Sequence, residues 1–191
     1  MSSREATGSC FRPDYAWKYY WSLRPGFLPN QLPQYLNVKR VLEREKRGTH
    51  NSPILEIGAG GVPLYKVYNK EGPQICIDFD LDLVRRNKRL TRLVGLLGQT
   101  FGGNKQDVEF VAADNACMPF RDGSFDTIVG VHCFEPVGSR AKELQRVLRK
   151  KGEYIQSYFG VVSIHKKETL LATLKAETER IRRWIREKYG V

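Results

Sequence analysis

Ile54-Leu55-Glu56-Ile57-Gly58-Ala59-Gly60-Gly61 decides the fold: a compact apolar strand runs straight into a cluster of glycines. Gly58, Gly60 and Gly61 remove Cβ atoms where a ligand must approach the backbone. Glu56, acidic at the strand end, can pair with a cationic amino-acid group. Pro63 suits the first turn of a helix behind the turn. Alone, such a turn fits a plain tight turn or a nicotinamide site equally well.

The next stretches narrow the choice. Ile75-Cys76-Ile77-Asp78 reads as a second strand. A helix follows in which Leu81, Val84, Leu90, Leu93 and Val94 are laced with Arg85, Arg86, Lys88, Arg89 and Arg92. Gly95 to Gln106 is glycine-rich and reads as a loop or frayed helix end. Val108 to Ala112 is a third strand, Thr127 to Val131 a fourth, Lys142 to Leu148 a helical stretch, and Tyr154 to Tyr158 a fifth strand. Strands alternating with helices at this interval give right-handed crossovers and a parallel sheet, with ligands beyond the carboxyl ends of the strands. Asp78 stands at the second such end, where a carboxylate can accept both ribose hydroxyls. Asp114 follows the third, where it can accept from an adenine amine, with Met118 as an apolar contact to the ring. A nicotinamide turn would carry Gly-x-Gly-x-x-Gly, whereas the last of those positions is Pro63.

Ile54 to Gly60, Asp114 through Phe120, Asp122-Gly123-Ser124-Phe125-Asp126 and Arg146-Val147-Leu148-Arg149-Lys150-Lys151-Gly152 together resemble the ordered motifs of class I S-adenosylmethionine-dependent methyltransferases. The likeness covers about residues 53 to 160. It implies a Rossmann-like doubly wound α/β fold with S-adenosylmethionine as cofactor. It places Glu56, Gly58, Ala59 and Gly60 against the methionine part, Asp78 with its neighbour Phe79 at the ribose, and Asp114 with Asn115 at the adenine. Val131 and His132 would sit beside the sulfonium. The chain departs from the family in Val62, where many members have a third glycine, and in Lys150-Lys151-Gly152 for Pro-Gly-Gly. The 31 residues after Gly160 read as helix, roughly Lys166 to Tyr189, with Leu170, Leu174, Ile181, Trp184 and Ile185 as its apolar stripe. The family's sixth and seventh strands are therefore expected to be missing. The sheet should hold five parallel strands ordered 3-2-1-4-5, its fifth strand an open edge for the terminal helix or a second subunit to cover, which makes a homodimer worth testing.

Methyl transfer from an activated sulfonium needs an in-line approach at about 3 Å and sometimes a base. His132 and Glu135, after the fourth strand, are the candidate catalytic residues at the acceptor. His132 also reads, and more readily, as a satisfied polar residue lining the cofactor pocket. Cys133 reads as a buried structural thiol. No Asn-Pro-Pro-Tyr element of exocyclic-amine methyltransferases is present.

The first fifty residues form a helical cap: an aromatic stretch, Asp14 to Trp21, then turns at Arg24-Pro25-Gly26 and Leu28-Pro29-Asn30, then a helix from about Leu32 to Arg47. Trp17, Tyr19, Tyr20 and Trp21 can stack bases or pack as a hydrophobic lid. Residues 1–191 thus read as one domain: cap, cofactor core over 53–160, and terminal helix over 161–191. Four scattered cysteines, Cys10, Cys76, Cys117 and Cys133, form no metal or disulfide framework. With no apolar run of about 18 residues and no signal-peptide pattern, the expected location is cytoplasmic. A net charge of +11, from 32 Lys plus Arg against 21 Asp plus Glu, suits an acidic partner or plain solubility. RNA or protein is accordingly the favoured acceptor over a small molecule. The rival from another class is a non-catalytic adaptor that keeps the fold and binds nucleic acid or protein; an oxidoreductase is disfavoured by Pro63 and the Asp114 motif.

Overall fold

Ile54 to Ile57 stay extended because both faces of the strand they form are covered, and every residue of it, Glu56 included, is buried. In the computed structural model of the chain, residues 27–45, 52–60, 63–68, 72–100, 107–131, 139–158 and 161–189 are described. The elements are α1 (Phe27–Arg44), β1 (Ile54–Ile57), a 3₁₀ turn (Leu64–Lys66), β2 (Gln74–Asp78), α2 (Leu81–Thr100), β3 (Val108–Ala112), β4 (Phe125–Val131), α3 (Ser139–Val147), β5 (Leu148–Tyr158), β6 (Val161–Lys166) and α4 (Leu170–Tyr189). The chain divides into two compact units, residues 1–32 and 33–191, and every strand belongs to the second.

The sheet is ordered β3-β2-β1-β4-β5-β6. Its first five strands are parallel, and β6 is antiparallel to β5, with Glu153 opposite Lys166 and Tyr158 opposite Val161. Alternation along the strands sends two sets of side chains to two faces. Leu55, Ile57, Ile77, Ile128 and Tyr154 meet Leu144 of α3 and Leu170 and Leu174 of α4. Ile54, Val129, Val131 and Ile155 meet Tyr35, Val38 and Leu42 of α1. On that same face Cys76 and Phe110 pack against Val84 of α2. This is the doubly wound α/β arrangement expected, with helices on both faces.

The expectation of five strands is corrected by β6. Residues 161–166, read as the approach to a helix, pair along the whole outer half of β5, whose backbone groups would otherwise lie open. The β5 edge is therefore not free for a second subunit, and the last helix starts at Leu170 rather than near Lys166. β5 itself begins at Leu148, six residues before the expected start, because Leu148 pairs with Phe125 across a register shift. Of the two readings of Gly95 to Gln106, Gly95 to Thr100 take the helix end, continuing α2, and residues 101–106 lie outside the described residues. α1 begins at Phe27, with Pro29 in its first turn, where a missing N–H costs nothing, and Pro33 inside it. No helix among the described residues is long and apolar enough to cross a membrane.

Candidate functional site

The turn after β1 is held open from beneath. Gly58 and Gly60 have φ of 64° and 54°, the left-handed region that glycine enters without strain. The Ala59 amide donates to the Ile77 carbonyl at 3.1 Å, and the Gly60 amide donates to Asp78 Oδ2 at 2.9 Å. Asn87, nearly two turns into α2, donates from Nδ2 to the Gly60 carbonyl at 2.7 Å, while its buried Oδ1 has no partner among the described residues. Asn87 belongs to none of the sequence motifs; its one signal is an amide on the face of α2 that also carries Leu83 and Val84.

Asp78 is where three strand ends meet. Its Oδ1 accepts from the Asp80 amide at 2.9 Å, and its carbonyl accepts from the Ala113 amide at 3.0 Å, just past β3. Burial raises its pKa, opposed by the amides of Asp80 and Gly60. The carboxylate, which also accepts from the Phe79 amide, keeps acceptor capacity beyond these bonds. Phe79, the next residue, is 52% exposed, an apolar ring offered at the same rim. Asp80 then caps α2, its Oδ1 accepting from the amides of Asp82 and Leu83.

Glu56, on the same face of the sheet as Cys76, is enclosed by protein. Its carboxyl accepts from the Leu64 amide at 2.7 Å, the Tyr35 hydroxyl at 3.4 Å and the Cys76 thiol at 3.4 Å. Burial pushes its pKa up to about 8 in spite of these donors. Glu56 thus fixes the chain where it re-enters regular structure after the glycines.

The segment after β3 is a tight loop. Asp114 is exposed; its Oδ1 accepts from the Ala116 amide at 2.8 Å and its carbonyl from the Cys117 amide at 3.0 Å, leaving Asn115 half-buried at the tip. Met118 drops into the core, and Phe120 stands edge-on to Phe125 with centroids 5.0 Å apart. Two residues of α3 clamp this loop. Glu143 accepts from the Met118 amide at 2.7 Å, and the Arg146 guanidinium donates to the Phe120 and Met118 carbonyls, to Asp122 and to Glu143. Arg146 holds the Glu143 carboxyl below its usual range. In the sequence Arg146 figures only as part of a motif; the Glu-x-x-Arg spacing on one helix face is the signal of the clamp.

The structure therefore brings Gly58, Ala59, Gly60, Asp78, Phe79, Asp114 and Asn115 to the carboxyl ends of β1, β2 and β3. The Val131 side chain, 4% exposed, instead packs on the α1 face. His132, Cys133 and Glu135 lie outside the described residues, as do Gly61, Val62 and the aromatic stretch Trp17 to Trp21.

Residues 55–156, more than half of the chain, match the family model described as a methyltransferase domain. No curated protein sequence matches. Among solved structures the chain resembles a SAM-dependent methyltransferase from Aquifex aeolicus, at 18% identity and a TM-score of 0.53 over 76% of this chain and 72% of that one. It also resembles an S-adenosyl-L-methionine-dependent methyltransferase from Methanococcus maripaludis, at 17% identity and a TM-score of 0.55 over 98% and 77%. A complex of the Haloferax volcanii Trm112 methyltransferase activator with a methyltransferase matches at 15% identity and a TM-score of 0.54, over 72% of this chain and 58% of that one. At these identities the likeness is one of fold.

Proposed function

Because the chain belongs to the methyltransferase domain family, matched over residues 55–156, we propose that it moves a methyl group from S-adenosylmethionine to an acceptor, releasing S-adenosylhomocysteine. The observation that carries this reading is the bond from the Gly60 amide to Asp78 Oδ2, which sets an open glycine turn and a carboxylate side by side at adjoining strand ends. The residues fit the cofactor: two left-handed glycines clear the backbone, buried Asn87 Oδ1 is an acceptor awaiting a donor, and Phe79 offers an exposed ring. Gly58, Ala59 and Gly60 would hold the methionine part, Asp78 and Phe79 the ribose side, and Asp114 and Asn115 the adenine. Glu56 would act by fixing the turn. When bound, the cofactor supplies a sulfonium whose methyl group is already activated, so the chain's task is to bind, orient and exclude water. His132 and Glu135, after β4, are the residues proposed to face the acceptor. A large acidic acceptor, RNA or protein, is favoured over a small molecule by the net charge of +11.

The adaptor reading draws on missing closing strands, the absence of a legible base and the basic surface, and β6 weakens the first of these. Titration calorimetry with S-adenosylmethionine and S-adenosylhomocysteine tests the cofactor: micromolar binding is expected, and no heat at millimolar ligand would end the proposal. Transfer of tritium from the labelled methyl group into RNA, protein and metabolite fractions tests the reaction. Label in any fraction excludes the adaptor.

A further inference from the structure

Helix α2 carries five cations, Arg85, Arg86, Lys88, Arg89 and Arg92, against a single acid, Asp82. At 100° per residue, the four arginines fall within an arc of roughly 120°, opposite the buried Leu83, Val84 and Asn87. All four are exposed, and the first and last are about 10 Å apart along the axis. Arg85 reaches Asp82 at 3.7 Å, and Lys88 reaches Glu109 at 3.7 Å. Arg86, Arg89 and Arg92 have no ion-pair partner among the described residues. Beside them stands Lys66, whose ammonium is held below its usual range first by burial and then by the Arg86 charge. Cations gathered this way repel one another in the free protein and are relieved by an outside polyanion.

We propose that this arginine stripe is the docking surface for an RNA acceptor, gripped through its phosphates; the inference rests on the methyl-transfer reading. Three features select RNA. The stripe uses arginine four times, and a guanidinium fork meets a phosphate bidentately where an ammonium is only a point charge. Its intervals of four and three residues, about 6 and 4.5 Å of rise, present charges in a row, as a nucleic-acid backbone does. The exposed leucines of the helix, Leu81 and Leu90, stand at the margins of the arc, so among the described side chains its width is cationic, whereas a membrane-binding face is an apolar stripe edged by cations. Its position supplies the link to the reaction. α2 starts just past the carboxyl end of β2, where Asp78 stands, so a strand lying along the arginines toward the start of the helix is led to the rim of the site.

The test is fluorescence anisotropy with a labelled single-stranded RNA of about 20 nucleotides across a salt series. Two charge-matched variants are compared with the unaltered chain: R86Q/R89Q/R92Q, and K150Q/K151Q/K166Q, three exposed lysines at the other end of the sheet. Losing three phosphate contacts should cost the arginine variant about two units of the slope of log K against log salt, and roughly tenfold in affinity or more near 150 mM. The lysine variant should change less than about threefold. Both variants should bind S-adenosylmethionine as the unaltered chain does, which shows that they are folded. Equal losses in the two variants, no RNA binding, or binding of poly-glutamate or anionic vesicles as tight as RNA would each overturn the docking surface. RNA bound through the arginines with no S-adenosylmethionine bound would leave the surface standing and overturn methyl transfer. The converse result would overturn the surface alone.

Discussion

Two carboxyls at neighbouring strand ends do different work. Glu56 is held near 8, against 4.5 when unfolded, so the folded chain keeps a proton that the unfolded chain gives up in that window. Stability therefore falls as pH climbs from about 4.5 to 8, and E56Q, which cannot titrate, should lose less Tm than the unaltered chain between about pH 5 and 8. Thermal melts at the two pH values check this; parallel losses would show that Glu56 is ionised throughout. Asp78 holds the turn directly, so Asp78→Ala should weaken S-adenosylmethionine binding at least about tenfold in calorimetry, a charge-assisted bond being worth roughly 1.5–3 kcal/mol. That Glu56 is acidic and ends a strand is plain in the sequence. Its enclosure is not, since Tyr35 and Cys76 reach it from 21 and 20 residues away, through the packing of α1 and the register of β1 on β2.

Elements show the same division between local pattern and distant pairing. β1, β2 and β4 announce themselves as apolar runs, since parallel strands covered on both faces need no alternation, and the edge strand β3 is marked by Val108, Phe110 and Val111. β6 does not: Val161 to Lys166 is a short edge strand with only His165 buried, and its identity comes from pairing with β5. Its hold on α4 is also non-local, through His165 Nε2 at 2.9 Å from Glu177 Oε2 and the Ser163 hydroxyl at 2.7 Å from Glu177 Oε1. Between β4 and β5, an added Cβ at Gly130 would strike the Tyr154 hydroxyl. Gly130→Ala should cost about 1–3 kcal/mol in denaturant melts, and G130A/Y154F should recover much of it. A double variant no better than the single one would place the strain elsewhere. Arg146 joins α3 to the Asp114 loop, and Arg146→Met strips three donated bonds from the loop and two from Glu143. A loss of about 2–4 kcal/mol is expected, with weaker cofactor binding as the loop loosens. Unchanged affinity in calorimetry would detach the loop from the site.

For the molecule, the antiparallel β6 and the helix after it close what the parallel sheet leaves open. Removing residues 161–189 would strip the β5 edge and uncover the surface beneath Leu170 and Leu174, so the shortened chain should aggregate where the full chain stays dispersed in light scattering. A dispersed, folded product would mean that the first five strands suffice. The sheet's other edge is β3, where Glu109 is exposed and paired with Lys88. The bond between the Gly60 amide and Asp78 reaches past this one molecule. A lineage that lost Asp78 would free the amide beside a residue whose left-handed backbone only glycine tolerates cheaply, and the pressure to keep that glycine would relax with it. The two positions should persist or decay together among descendants, so that a homologue lacking one has reason to lack the other.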